Sequence, residues 1–189
     1  MKSSTKSRIE TYCRIAFKSL LANLNEWKET SDKDFKRGVT RIYYDLVHSL
    51  SIPSGFITAK ALEKKKQHPR WNVCKDHCYT PQFIGRMMMD NSHIYLQDFS
   101  KFRELFYVAC TTIEILSEEN RDLSLLTVNN KKNFTVSVPM NERYKHLGIE
   151  LVERKTGRRW YNKDTVPVSN IIQTPQEILD YEKQFLIKI

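Results

Sequence analysis

"LSLLTVNNKKNFTVSV", residues Leu123–Val138, is where the hydrophobic pattern of the chain changes character. "LSLLTV" and "FTVSV" flank the polar "NNKKN", as two strands joined by a hairpin turn would. Downstream, "LGIELVER" and "RRWYN" flank "KTG" and predict a second hairpin. Upstream of Glu119 the apolar residues instead recur every three or four positions. Ile9, Cys13, Ala16, Leu20, Leu24 and Trp27 mark one amphipathic helix. Phe35, Val39, Ile42, Tyr43, Leu46 and Leu50 mark a second, which begins near Ser31 at "SDKD" and stops at "SIPSG". The change of period predicts an α+β fold with an N-terminal helical layer, central helices, and a C-terminal antiparallel β-sheet with a terminal helix.

Capping residues punctuate the helical part. Thr58 is placed to cap "AKALEKKKQ", which must end before Pro69 because the residue ahead of a proline is pushed out of the helical region. Thr80 and Pro81 start a helix at "TPQFIGRMMMDN", and Thr174 and Pro175 repeat the device at "TPQEILDYEKQF". Phe102, Leu105, Phe106, Ala109 and Ile113 predict a core helix over residues 100–116. We expect one domain over residues 1–189: a helical part at 1–70, a motif-bearing part at 71–130 and a β-rich part at 131–189.

The composition bounds the partners. A chain of 189 residues with 40% hydrophobic and 28% charged residues can bury a sizeable core. Lys and Arg exceed Asp and Glu by 31 to 22, a formal charge of +9, which favours polyanions and above all nucleic acid, with DNA the first expectation. Four cysteines occur without a C-x-x-C pair, and the opening "MKSSTKSRIETYCRIAF" lacks the apolar core of a signal peptide, so an intracellular, cytoplasmic protein with reduced thiols is expected. No apolar run approaches the roughly 18 residues that span a bilayer, so no membrane partner is expected.

The chemistry centres on "WNVCKDHCYTP", Trp71–Pro81, which reads as a strand running into a proline-started helix, with Asp76 and His77 at the join. Cys74, His77 and Cys78 lie close in sequence, but a zinc site needs a second, separated ligand cluster, so buried thiols are the better reading. Hydrolysis of nucleic acid needs a base for water and a divalent ion to neutralise phosphate charge. "DHCYTP", followed by "ENRDLSLLTVNNKK", resembles the HNH, or His-Me finger, endonucleases: an Asp-His pair ending a strand, an Asn, a second strand, and a further Asn or His nine residues after the first Asn, the separation of Asn120 and Asn129. The family's next element is a helix, where this chain has the turn "NNKKN". The resemblance implies Asp76 as a metal ligand, His77 as general base, Asn120 as the brace of the connecting loop, Asn129 as second ligand, and a Mg2+-like divalent ion. Lys75 or Arg86 would assist at the scissile phosphate.

Two basic elements are candidates for phosphate contact. Lys64, Lys65 and Lys66 form a run shortly before the Asp-His pair. In "ERKTGRRWYNK", Lys155, Arg158 and Arg159 surround a glycine turn beside Trp160, joining cations for phosphates to an aromatic for stacking. Glu153 and Lys155 also match half of a restriction-type E-x-K pattern, as does the helical Glu63 with Lys65, so that match discriminates little. The alternative to a nuclease is a non-enzymatic module that binds nucleic acid or protein, in which Asp76 caps the turn and His77 is structural.

Overall fold

The computed structural model describes residues 3–130, 133–136, 138, 140–154 and 175–185. The fold is α+β, and the chain divides into two compact units, Met1–Ser51 with Tyr79–Cys110 and Ile52–Cys78 with Thr111–Ile189. Both units are therefore discontinuous in sequence, and the segment 79–110 is an excursion from the second unit into the first. Among the described residues no helix is long and apolar enough to cross a membrane.

The first unit is helical: α1 (Ser3–Ala22), α2 (Leu24–Glu29), α3 (Lys33–His48), α5 (Pro81–Asp90), α6 (Ser92–Tyr95) and α7 (Phe99–Cys110). Ile9, Cys13, Ala16 and Leu20 of α1 are all buried, so the expected stripe faces the core. Asp32 caps α3, its carboxylate accepting from the backbone N–H of Asp34 at 2.8 Å and of Phe35 at 3.3 Å. Pro81 opens α5, where its missing N–H costs nothing. Gly85 lets α5 approach α3 closely, since a Cβ there would lie 2.7 Å from Cδ1 of Tyr43. Tyr43 in turn meets Phe106 of α7 edge-on, with ring centroids 6.1 Å apart.

The second unit carries β1 (Ile52–Thr58), α4 (Ala59–Gln67), β2 (Cys74–His77), β3 (Thr111–Ile115), α8 (Ser117–Leu125), β4 (Thr127–Asn130), β5 (Asn133–Val136), α9 (Arg143–His146), β6 (Leu151–Glu153) and α10 (Gln176–Glu182). Its main sheet has the order β2-β3-β1-β6. β1 runs parallel to β3, and the outer pairs are antiparallel. Ile57, Ala61, Leu116 and Val152 form its apolar core, with Val73 packed against it. Thr58 caps α4 as expected, accepting from the Ala61 N–H at 3.3 Å. Its hydroxyl also donates to Oε2 of Glu119 at 2.6 Å, and that oxygen accepts the Leu116 N–H at 3.0 Å. The last residue of β1 is thereby tied to the first turn of α8 inside the unit.

Three expectations are corrected. Residues 1–70 are not wholly helical: α3 ends at His48, ahead of "SIPSG" as expected, but Ile52–Thr58 then form β1. Pro53 and Gly55, at φ 91°, mark an irregular strand whose register against β3 shifts between Pro53 and Ile57, which is where turn residues are tolerated. The helix expected over 100–116 ends at Cys110, and four of the five residues of "TTIEI" are β-branched and continue as β3. "LSLL" is the end of helix α8 and not a strand. Leu123 is fully buried while Leu125 is 72% exposed, an opposition that two residues on one strand face would not show but a helix produces. The hairpin at "NNKKN" is present in shortened form, pairing Thr127↔Val136 through Asn130↔Asn133. Lys155, Arg158, Arg159 and Trp160 lie outside the described residues.

Candidate functional site

Asp76 and His77 end β2, opposite Ile113 and Thr112 of β3. Neighbouring strand residues face opposite ways, so the pair presents its two side chains to different surroundings. The Asp76 side chain is 12% exposed, and its Oδ2 accepts from Nη2 of Arg143 at 3.1 Å and from the hydroxyl of Tyr144. Arg143 is itself buried at 2% exposure, and the same Nη2 donates to the backbone carbonyls of His77 at 3.2 Å and Cys78 at 3.4 Å. Its Nε donates to the Met140 carbonyl at 3.4 Å. One guanidinium thus clamps the carboxylate of Asp76 and the backbone on both sides of the His77–Cys78 peptide.

Burial sets the electrostatics of this cluster. Desolvation pulls the Arg143 pKa down, but Asp76, Tyr144, Cys78 and Glu182 together raise it above its ordinary value, so the guanidinium stays charged. The Tyr144 hydroxyl is pushed well up by burial and then by the Asp76 carboxylate, which keeps it a neutral donor. Burial likewise pushes the Cys78 thiol up, making it an inert core group and not a nucleophile. Glu182 of α10 is 2% exposed and accepts the Met140 N–H through Oε1. Its carboxyl is pushed up to about 7 by burial, against the opposing pull of the Met140 N–H and Arg143.

The other expected site residues are dispersed. Lys75 is exposed on β2 and pairs in register with Glu114 of β3. Arg86 belongs to α5 in the helical unit, where it faces Asp90 at 3.6 Å, while Asp76 belongs to the sheet unit. Asn120 is a half-buried residue of α8, not of a loop before a strand. α8 nevertheless lies beside β2, as the 3.3 Å approach of Cys74 Sγ to Ser117 Oγ shows. Asn129 stands in β4 across from Phe134. The lysine run is split three ways: Lys64 lies over the ring of Trp71 at 4.5 Å, Lys65 pairs with the partly buried Glu114 at 3.1 Å, and Lys66 pairs with Glu63 at 3.8 Å.

Arg143, Tyr144 and Glu182 escaped the sequence reading. Nothing local marks them, because Arg143 reaches Asp76 across 67 positions and Tyr144 across 68. Among the described residues no group of three or more His, Cys, Asp or Glu side chains is arranged to hold a metal ion. Both Asp76 contacts fall on Oδ2, so Oδ1 takes part in neither. That oxygen and the Asn120 amide oxygen are the donor type that suits a magnesium-class ion. No family model, curated protein or solved structure significantly matches the chain.

Proposed function

We propose that the chain is a metal-dependent DNA endonuclease of HNH type, with its reacting centre at the end of β2. The observation that carries this reading is the strand–strand–helix order β2–β3–α8, with Asp76 and His77 closing the first strand, assembled although residues 78–110 intervene. Strand, strand, helix is the order that the HNH resemblance implies, but with β3 as the second strand in place of residues 123–126 and α8 as the helix in place of the region after Asn129. Asp76, through Oδ1, and Asn120 on α8, in place of Asn129, would be the residues to hold the metal. The chemistry such a magnesium-class ion would supply is neutralisation of charge on the scissile phosphate and leaving oxygen. His77 is the general base that takes the proton from the attacking water.

The work of the chain around that step is positional. Arg143 fixes the carbonyls of His77 and Cys78 and the Asp76 carboxylate together, so the base sits on an anchored strand end instead of a mobile loop. Arg143 is a positioning residue, too deeply buried to meet phosphate. The excess of cations over anions favours the approach of DNA, and four free thiols suit a reducing, cytoplasmic setting. His77→Gln, which keeps a polar side chain at this buried position, should lower cleavage of plasmid and single-stranded DNA with magnesium or manganese by about a hundredfold or more while leaving the melting temperature near wild type. Cutting that survives this substitution ends the nuclease proposal. One observation favours a second reading: the Asp76 carboxylate is already engaged by Arg143 and Tyr144, as in a purely structural anchor. A binding module without catalysis would show salt-dependent DNA retention and no cleavage by wild type.

A further inference from the structure

The connection from α4 to β2 holds an aromatic residue in water. Trp71 is 47% exposed, whereas Trp27 is buried at 4%. Exposure of half an indole forgoes a large apolar gain, and the surrounding backbone makes that exposure a built feature. His68 ends α4, its N–H bonded to the Lys64 carbonyl at 2.8 Å, and the Trp71 N–H closes a turn onto the His68 carbonyl at 2.8 Å. Pro69 occupies the second position of this turn, where its fixed φ is favoured. Val73, two residues on, is packed against the apolar core. The Lys64 ammonium lies over the indole at 4.5 Å, with the His68 ring tilted beside it at 6.3 Å.

The charge around Trp71 is one-sided. Between Glu63 and Asp76 the chain carries Lys64, Lys65, Lys66, Arg70 and Lys75 and no acidic residue. Lys65 and Lys66 are engaged by Glu114 and Glu63, while Arg70 beside the tryptophan and Lys75 on β2 are exposed. An aromatic face among cations is the arrangement that binds an unpaired base through stacking and its flanking phosphates through charge. We propose that Trp71, braced by Lys64 and flanked by Arg70, is a stacking platform for one unpaired base of single-stranded nucleic acid. Trp71 precedes His77 by six positions, at most about 20 Å of extended chain, so a strand seated on the platform would extend toward the end of β2. The inference shares its ligand class with the nuclease proposal and none of its chemistry.

The test is a binding titration in EDTA with a fluorescein-labelled oligo(dT) and with a duplex of equal length. Trp71→Ala should weaken single-strand binding by about tenfold and Trp71→Phe by clearly less, with duplex binding little changed and melting temperatures equal to wild type. Quenching of tryptophan emission by unlabelled oligo(dT) should be smaller in Trp71→Phe than in wild type. Single-strand affinity unchanged in Trp71→Ala, an equal loss for single strand and duplex, or no oligonucleotide binding by wild type overturns the inference. The two proposals fail separately. Wild type that binds and is quenched but does not cut retains the platform and loses the nuclease, and wild type that cuts with Trp71→Ala binding undiminished does the reverse.

Discussion

The two units hold themselves together by different means. In the helical unit the interior is mainly apolar side chains at helical spacing, with Phe83, Ile84, Met87 and Met88 of α5 and Phe102, Leu105 and Phe106 of α7 buried at close to zero exposure. Its polar links Trp27–Asp90 and Tyr107–Glu10 are only partly buried, and neither is an ion pair. In the sheet unit a compact apolar cluster is joined by buried polar links between distant parts of the chain: Asp76 to Arg143, Thr58 to Glu119, and Glu182 to Met140. An apolar core tolerates the loss of one contact in proportion to the volume removed. A buried ion pair instead fails abruptly when one member goes, because the remaining charge has neither water nor partner.

The largest expected effect breaks that second kind of link. Arg143→Met leaves Asp76 buried beside a thioether and should cost about 3–5 kcal/mol in urea denaturation of the sheet unit. Asp76→Leu alone should also destabilise, by stranding the guanidinium. The double variant should recover most of the loss, since an apolar pair of similar volume is often as stable as the ions it replaces. A double variant no more stable than Arg143→Met would show that the bonds from Arg143 to the His77 and Cys78 carbonyls, and not the ion pair, carry the stability.

Next in size is the pH response of Glu182. Its carboxyl rises from an ordinary 4.5 to about 7 in the folded chain, chiefly through burial. The folded state therefore holds a proton that the unfolded chain has released, and folding is favoured by that proton at low pH. The contribution is fully present below pH 4.5 and is lost as pH rises through about 7, a decline of roughly 3 kcal/mol by the linkage between pKa and stability. Glu182→Gln keeps an acceptor for the Met140 N–H and carries no charge, so its unfolding free energy should lack this decline between pH 5 and 8. An identical slope in both proteins would place the titration elsewhere.

What was legible in the sequence follows the same division. Local signals succeeded: the stripe on α1, the Thr58 cap, an α3 N-cap within one residue of the Ser31 expected, Pro81 at the start of α5, and a strand ending in Asp76-His77 all depend on residues within one or two helical turns. The failures came where a local pattern fits two structures. Leu123 and Leu125 alternate as a strand would, but the short helix α8 buries only the first. The apolar face of α7 extends in register onto Ile113, which hid the start of β3, though the β-branched run there was a usable signal. Pro53 and Gly55 hid β1 because they accommodate its irregularity. Of the candidate site, the Asp-His pair was legible and its clamp was not, since Arg143 and Tyr144 are brought to it only by the tertiary fold.

The smallest effect is the sharpest comparison, because one substitution should have opposite signs in the two units. Tyr43 and Tyr144 are both almost wholly buried, and burial raises both hydroxyl pKa values well above ordinary, so each is neutral. The Tyr144 hydroxyl donates to Asp76, whereas the Tyr43 hydroxyl has no hydrogen-bond partner among the described residues. A buried donor without an acceptor carries its desolvation penalty uncompensated. Tyr43→Phe should therefore be neutral or stabilise by up to about 1–2 kcal/mol, with the edge contact to Phe106 preserved. Tyr144→Phe removes a bond to a charged acceptor and should cost about 1.5–3 kcal/mol. Denaturant melts of the two variants compare them directly. A loss of more than about 1 kcal/mol in Tyr43→Phe would mean that the Tyr43 hydroxyl is satisfied in solution, by a water or by the neighbouring Cys13 and Cys110 thiols, and that the helical unit too relies on a buried polar link.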